Sequence, residues 1–421
     1  MLLSSLLNSA PSRLLAVSSF IALALPALAQ DRTTEAGEAS ITDPTLECTA
    51  YYYAPVGTAL AAGEFPTVWQ SATLLPNDTE GQQIWASIQP SVPTNIQPKG
   101  NRNSSLANVT YDAVADPDCW WTVGQAGHKC TTPKHNGLPN DTWNVPEPLT
   151  AGYGFDDGPN CSHNAFYDFL TSQNQKATMF YIGSNVMNHP VEAQRAIADG
   201  HEICVHTWSH GYMTSFPSSA AFAELWYTMK AIKLVTGVTP KCWRPPYGDV
   251  DDRIRAIAHG LNLTTILWGW DSNDWQNGIG GVTDADVDNF YSQFVGNATA
   301  GNFNSVGGII LTHELNNYTM SKAIEWYPRL TAAFKHLLPV SVALNISQPY
   351  VETNYSLPTF AQCHTTANPS NASTTSGSTS SGTGTGSGSG TTNTSGASAA
   401  FSPRVLLVGT LAAVFGAIAA L

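Results

Sequence analysis

The stretch "LTAGYGFDDGPNC", residues 149–161, is a short apolar run that ends in two adjacent carboxylates and a Gly-Pro pair. An apolar run bounded by turn-forming residues is typical of a buried strand. Neighbouring strand side chains point to opposite faces, so Asp156 and Asp157 would diverge if the strand continued. A turn at Gly158-Pro159 could bring both carboxylates into one pocket. A solvated turn is an equally good interpretation of this stretch taken alone.

Downstream of this stretch, strand-like and helix-like segments alternate about seven times. The strand-like segments include "KATMFYIG" (176–183), "TTILWGWD" (264–271), "GGIILTHE" (307–314) and "PVSVAL" (339–344), and the longest helix-like one is "SSAAFAELWYTMKAIKLVTG" (218–237), which should end at Gly237. This alternation predicts an α/β fold with parallel strands, most simply a distorted (β/α) barrel of about seven strands. In such barrels catalytic groups collect at the C-terminal ends of the strands.

The two ends of the chain have the composition of targeting segments. Residues 1–29 contain an apolar run followed by Ala27-Leu28-Ala29, which predicts a signal peptide rather than the alternative, a membrane anchor. Residues 365–400 are mostly Ser, Thr and Gly, typical of an O-glycosylated stalk or a plain flexible linker. Residues 405–421 are apolar to the last position, and with the polar spacer before them residues 401–421 predict a glycosylphosphatidylinositol (GPI) signal, with a tail-anchored helix as the alternative.

Between these ends we expect three further parts. Residues 30–148 are proline-rich without a sustained helical period, which predicts an irregular N-terminal extension that wraps the core. Residues 149–350 form the predicted catalytic domain, and residues 351–364 a closing segment. Asn-X-Ser/Thr sequons, for example at Asn77 and Asn262, indicate a secreted glycoprotein, GPI-anchored at the outer face of the plasma membrane and the cell wall.

Charge and cysteine content narrow the classes of partner and compartment. The net charge is −13 with no Lys/Arg-rich run, which argues against a nucleic-acid-binding protein. We also expect the protein to be a monomer. Seven cysteines in a secreted chain should mostly pair. Cys119 and Cys130 are close enough in sequence for a local disulfide. Cys204 lies in an apolar strand pattern and is the candidate for a buried free thiol.

Two histidines follow the strand-like segment "EICV" in the sequence "HTWSH". His206 and His210 are four residues apart, a spacing that would place both imidazoles on one side of a helical turn. With Asp157 they make a His-His-Asp set that leaves positions open for water and substrate. Nitrogen and carboxylate ligands of this kind suit Zn²⁺, although Co²⁺, Ni²⁺ or Mn²⁺ could bind the same set.

Polar groups also follow three other predicted strands. "RPPY" contains Arg244 and Tyr247, "DSNDW" contains Asp271, Asp274 and Trp275, and "ILTHE" contains Leu311, His313 and Glu314. Each could be a helix cap, a turn or a buried ion pair, but five such stretches at successive strand ends favour a site.

In this order, "FDDGP", "HTWSH", "RPPY", "DSNDW" and "ILTHE" resemble the five motifs of the polysaccharide deacetylases, the NodB homology domain of carbohydrate esterase family four. The resemblance covers roughly residues 150–345. When the targeting segments are considered together with these motifs, the chain is most similar to the fungal chitin deacetylases. Two positions depart from the family pattern, Gly154 where Thr is usual and Glu314 where Asp is frequent.

The resemblance implies a role for each motif residue. Asp157, His206 and His210 would bind the metal, and Asp156 would be the general base that takes a proton from the attacking water. The Tyr247 backbone N–H would stabilise the oxyanion. His313 would be the general acid, and Asp271, in preference to Asp274, would pair with it. Arg244 would orient Asp156. Leu311 and Trp275 would line a pocket for the acetyl group.

The sequence therefore predicts a chitin deacetylase that releases acetate from N-acetylglucosamine units. Within the same class, peptidoglycan or acetylxylan remains an alternative substrate. An inactive wall-binding protein on the same scaffold is disfavoured by the complete set of base, ligands and acid. A glycoside hydrolase using Asp156 would leave the histidine pair without a function.

Overall fold

The computed structural model describes residues 31–123 and 129–366. The strands are β1 (Asn144–Val145), β2 (Thr150–Gly152), β3 (Gly154–Gly158), β4 (Thr178–Tyr181), β5 (Glu202–Val205), β6 (Cys242–Trp243), β7 (Thr264–Thr265), β8 (Trp270–Asp271), β9 (Gly307–His313) and β10 (His336–Leu338). The signal peptide, nearly all of the stalk and the GPI tail lie outside the described residues.

Helices alternate with these strands along the core. They are α1 (Glu35–Ala39), α2 (Pro44–Glu47), α3 (Ala54–Ala61), α4 (Thr79–Ile88), α5 (Asn164–Ser172), α6 (Gly183–Asn188), α7 (Pro190–Ala198), α8 (Ser218–Thr236), α9 (Asp252–Gly260), α10 (Asp284–Thr299), α11 (Asn317–Ala333), α12 (Val340–Ala343) and α13 (Phe360–Thr366). As predicted, α8 ends at Gly237, whose φ of 81° is left-handed. In the described ranges, no helix combines the length and the apolar character needed to cross a membrane.

The strands form one sheet in the order β10-β2-β9-β3-β4-β5-β6-β7, and neighbours along this path are parallel. β2 and β3 are nearly continuous and both lie beside β9. β9 also pairs with β8, in parallel, and with β1, antiparallel. The segment that carries β1 contacts the β7 side as well, because Thr142 bridges to Ile266. This short segment closes the sheet, which confirms the predicted distorted α/β barrel of parallel strands.

Two predicted strands differ locally from the structure. "TTILWGWD" is not one strand but the two-residue strands β7 and β8 with a break between them. "PVSVAL" was expected to be a strand, yet its residues form helix α12. The reason is tertiary: the Val340 N–H donates to Thr178 Oγ1 (2.7 Å) and the Ser341 N–H donates to Glu202 Oε2 (3.1 Å). These bonds satisfy the first N–H groups of a helix, and an apolar pattern does not reveal them.

The N-terminal extension is more regular than its sequence indicated, because it contains helices α1 to α4. It is attached to the core by polar contacts. The Ala72 N–H donates to buried Glu224 (2.7 Å), and Lys99 Nζ pairs with buried Asp251 (2.7 Å). A disulfide joins Cys48 to Cys161, which follows the carboxylates of β3. The extension is therefore held against the part of the core that carries the catalytic motifs.

Three disulfides lie within the described residues: Cys48–Cys161, Cys119–Cys130 and Cys204–Cys242. The predicted Cys119–Cys130 bridge is confirmed. The prediction that Cys204 is a free thiol is wrong. β5 and β6 pair with Val205 opposite Trp243, which places Cys204 beside Cys242, with Cα atoms 5.0 Å apart. Strand register, which the sequence does not display, decides this pairing.

Candidate active site

Asp156 and Asp157 end β3, and an irregularity in the strand brings their carboxylates together. The pairing of β3 with β4 shifts register between Asp156 and Gly158, and Asp157 has a φ of 73°. A bulge with a left-handed residue breaks the strict alternation of side chains. Both side chains can therefore reach His206, whose Nε2 lies 3.7 Å from Asp156 Oδ2 and 3.3 Å from Asp157 Oδ1.

His206 and His210 face Asp157 from the loop that follows β5. His210 Nε2 lies 3.0 Å from Asp157 Oδ1, and the two imidazole centroids are 5.1 Å apart. The loop is not the helical turn that the spacing suggested, since Thr207 and His210 have φ values of 65° and 54°. The His206 Nδ1 contacts the Arg244 carbonyl oxygen at 2.8 Å. A carbonyl oxygen only accepts, so Nδ1 carries a proton, and Nε2 is the ring nitrogen on the side of Asp157.

These three residues fit a divalent cation. The ligand atoms of Asp157, His206 and His210 all lie within 4.8 Å of one another. Within the described ranges, the buried Asp157 Oδ1 has no partner with hydrogen-bond geometry. Burial would raise the pKa of Asp157, but the charge of His210 and the contacts with both imidazoles outweigh it and hold the pKa well below its usual value. An ionised carboxylate beside two imidazole nitrogens is a donor set suited to zinc and related metals.

Asp156 is oriented by a buried arginine. The Arg244 NH1 donates to Asp156 Oδ1 at 2.7 Å, and neither side chain is appreciably exposed. The guanidinium carbon lies 3.9 Å from the centroid of the Phe180 ring, so the guanidinium group packs on this aromatic ring. This pair holds one carboxylate oxygen and leaves Oδ2 directed toward His206. The predicted contact between Arg244 and Asp156 is present.

His313, at the end of β9, is held by Asp274 and not by Asp271. The His313 Nδ1 lies 2.5 Å from Asp274 Oδ1, and its backbone N–H donates to Asp274 Oδ2 at 3.0 Å. The prediction that Asp271 is the partner is therefore wrong. Asp271 does come directly off its strand, but its Oδ1 accepts the Asn273 N–H (2.8 Å) and shapes the turn. The turn then brings Asp274 to the histidine.

The pKa values of His313 and Asp271 are both raised, for different physical reasons. Burial would lower the pKa of His313, but the charge of Asp274 and its hydrogen bond, with the charges of Asp157 and Asp156, raise this pKa to about 10. Burial raises the pKa of Asp271 to about 6. His313 is consequently a cationic donor at neutral pH, with Nδ1 engaged and Nε2 available.

The three predicted substrate-contacting residues surround these groups. Tyr247 has a φ of 60°, its ring stacks on Tyr212 at 4.1 Å, and it is 42% exposed. Leu311 is buried opposite Asp271 in the β8–β9 pair. Trp275 is partly buried in the short 3-10 helix that begins at Asp274. Their roles toward a substrate stay predictions.

Glu314 is a site residue whose importance the sequence did not reveal. It is fully buried and contacts His163 Nδ1 (2.8 Å), and it accepts hydrogen bonds from the Asn160 N–H (3.0 Å) and the Tyr167 hydroxyl (3.0 Å). It thereby fixes the turn that follows Asp157. The position of Glu314 next to His313 in "ILTHE" was the only sequence signal for its importance. Its hydrogen-bond partners come from a distant segment of the chain, and the sequence does not reveal them.

Gly154, the other departure from the family pattern, lies where a side chain would not fit. A Cβ atom there would meet the Thr178 carbonyl oxygen at 2.6 Å. Close approach of β4 thus requires glycine at the start of β3.

Comparison with known proteins agrees with this geometry. The family model "Polysaccharide deacetylase" matches residues 146–266. Chitin deacetylase 2 of Cryptococcus neoformans is 52% identical over 332 residues, which are 78% of this chain and 71% of the relative. Chitin deacetylase of Amylomyces rouxii is 44% identical over 320 residues, 75% of this chain and 74% of the relative.

Among solved structures, the chitin deacetylase of Colletotrichum lindemuthianum is 21% identical, with a TM-score of 0.46 over 51% of this chain and 96% of that one. The extent and identity of the sequence matches to the two fungal relatives are decisive. This chain belongs to the polysaccharide deacetylase family.

Proposed function

We propose that this protein is a metal-dependent chitin deacetylase, which hydrolyses N-acetyl groups of the polymer to give chitosan and acetate. One observation carries the proposal: a base held by Arg244, a His-His-Asp ligand set and a histidine held by Asp274 meet at one end of the barrel. The fungal relatives that match most of this chain are named chitin deacetylases, which supports chitin over peptidoglycan or acetylxylan.

The ligand set Asp157, His206 and His210 would hold Zn²⁺, or alternatively Co²⁺, Ni²⁺ or Mn²⁺. Such an ion supplies Lewis acidity toward the acetyl carbonyl and toward water. Arg244 contacts Asp156 Oδ1 and leaves Oδ2 available. Asp156 Oδ2 accepts a proton from the attacking water while the water oxygen bonds to the carbonyl carbon. The Tyr247 N–H, fixed after two prolines, donates to the oxygen that gains negative charge.

Breakage of the C–N bond needs a proton on the departing nitrogen, because a free amide anion is a very poor leaving group. His313 donates that proton from Nε2 while Asp274 holds Nδ1 and stabilises the cation. Its pKa of about 10 keeps it protonated before the reaction. The products are acetate and a glucosamine unit.

The proposal includes a location. The protein is a secreted, GPI-anchored monomer that acts on the cell wall. Secretion is supported by three disulfides within the described residues, which are typical of an oxidising compartment. The terminal segments support it by composition alone.

Acetate release from chitin hexamer, peptidoglycan and acetylxylan, measured side by side on the full chain, tests the function. We expect release from chitin to be fastest, to stop after exhaustive chelation and to return with Zn²⁺. Asp156→Asn should bind Zn²⁺ like the wild type in calorimetry but release no acetate. Faster release from another polymer would contradict the substrate, and full activity after chelation would contradict the metal requirement.

A further inference from the structure

Trp69, in the N-terminal extension, resembles Tyr247 in having an exposed aromatic side chain on a residue with positive φ. It is 42% exposed, and its φ is 63°. It is the third residue of a turn closed by the Gln70 N–H to the Thr67 carbonyl. Turns with positive φ at that position favour glycine or asparagine, since a Cβ atom is strained there. A large aromatic side chain that stays partly exposed on a strained backbone indicates a function outside folding.

The backbone around Trp69 is attached to both elements that hold the metal ligands. The Trp69 N–H donates to Ser184 Oγ (2.8 Å), and the neighbouring Asn185 donates to the Asp157 carbonyl (2.7 Å). On the other side, the Trp208 indole N–H donates to the Thr67 carbonyl (3.1 Å). Trp208 belongs to "HTWSH", so the turn is built onto the loop of His206 and His210.

Arg102, also in the extension, joins this turn to the rest of the rim. Its NH2 donates to the carbonyls of Trp69 (3.1 Å) and Ser209 (2.8 Å), and its own carbonyl accepts the Tyr212 N–H (3.1 Å). Tyr212 in turn stacks on Tyr247 with an angle of 10° between the rings. We define the aromatic rim as Trp69, Tyr212 and Tyr247. The ring of Tyr247 lies 4.8 Å from that of His210, and the hydrogen bonds of Arg102 connect Tyr212 to the backbone of Trp69.

We propose that the extension supplies a sugar-binding subsite, in which the Trp69 indole stacks on a pyranose ring of the chitin chain beyond the reacting unit. This rests on the proposed function and deepens it. The apolar faces of N-acetylglucosamine rings pack well on aromatic side chains, and an exposed indole gives the largest such surface. Truncation of a tryptophan that anchors an interface commonly costs tenfold or more in affinity. Trp69 thus acts only on substrates long enough to reach it.

Trp69→Gly is the informative variant because glycine relieves the positive φ, so the chain should fold at least as well. We expect kcat/KM on chitin hexamer to fall about tenfold, mainly through KM, while the value on the dimer stays unchanged. Trp69→Phe should retain most of the hexamer activity. Trp143→Ala is the matched control: the same residue type, 43% exposed, packed beside Gly269, and expected to be neutral at every length.

Equal losses on dimer and hexamer, or no loss on either, would overturn the subsite and leave the proposed function standing. If the wild type releases no acetate from any chitin oligomer, the proposed function fails. The subsite is then tested by measuring whether chitin hexamer binds at all and whether its binding depends on Trp69. Hexamer binding to full-length Asp156→Asn, with and without Trp69→Gly, is then measured by calorimetry. Binding that depends on Trp69 supports the subsite, whereas equal or absent binding refutes it.

Discussion

Asp274→Asn should convert His313 from a permanent cation into a group that titrates near neutrality. Asparagine keeps the size of Asp274 and can still accept the His313 backbone N–H, which Asp274 Oδ2 now accepts at 3.0 Å. It removes the negative charge that contacts Nδ1 at 2.5 Å. Burial, which lowers the pKa of His313, is then opposed only by the more distant Asp156 and Asp157.

The size of the effect follows from the fraction of protonated His313. With a pKa of about 10, nearly all of the histidine carries its proton at pH 8. With an ordinary pKa of about 6.5, only about 3% does at pH 8, but about three-quarters does at pH 6. We therefore expect kcat/KM of the variant to fall roughly 30-fold at pH 8 and much less at pH 6.

The assay is the pH profile of kcat/KM for acetate release from chitin hexamer. The alkaline limb of the variant should move to lower pH by about three units, while the acidic limb stays in place. Asp271→Asn is the matched control, since it makes the same chemical change three residues away without touching Nδ1. An alkaline limb that does not move in Asp274→Asn, or that moves equally in Asp271→Asn, would refute the assignment of acid and partner.

Three other perturbations have clear expected outcomes. His210→Ala should weaken Zn²⁺ binding in calorimetry by more than about a hundredfold, because losing a ligand should cost more than losing a residue that only contacts a ligand, which costs up to about a hundredfold. Unchanged affinity would exclude His210 as a ligand. Replacing Cys204 and Cys242 by serine should lower the free energy of unfolding by about 4 kcal/mol in urea titrations, from the loop entropy of a 38-residue separation; no change would refute a stabilising bridge. Burial raises the pKa of Glu192 from 4.5 to about 7, so the folded chain keeps a proton that the unfolded chain releases. The free energy of unfolding should therefore fall by about 3 kcal/mol as the pH rises from 4.5 through 7, and Glu192→Gln should abolish that fall in denaturation at pH 5 and 8.

The sequence was sufficient for the order of most strands and helices in the core because strand and helix periodicity is local. The positions of α8 and β9 follow from their own residues, and the polar motifs lie at the ends of five strands, β3, β5, β6, β8 and β9. The barrel rule then places those motifs at one end. Closure of the barrel was less visible, since the segment of β1 contacts both edges through few residues with no strong strand pattern.

The details that the sequence missed depend on contacts between distant segments. The choice of Asp274 over Asp271 depends on a turn after β8. The left-handed φ values of Thr207 and His210 replace the expected helical turn, although the predicted residues still meet. Cys204 has its partner because of strand register, and no sequence pattern encodes that register.

Arg244 contacts one predicted metal ligand through its backbone and the predicted base through its side chain. Its carbonyl contacts His206 and its guanidinium holds Asp156. A mutation can change only the second of these, because every amino acid keeps the carbonyl. Under the proposed function, a gene duplicate with a substitution at position 244 would therefore lose turnover and keep the ligand set for the ion, a short evolutionary path from an enzyme to a lectin.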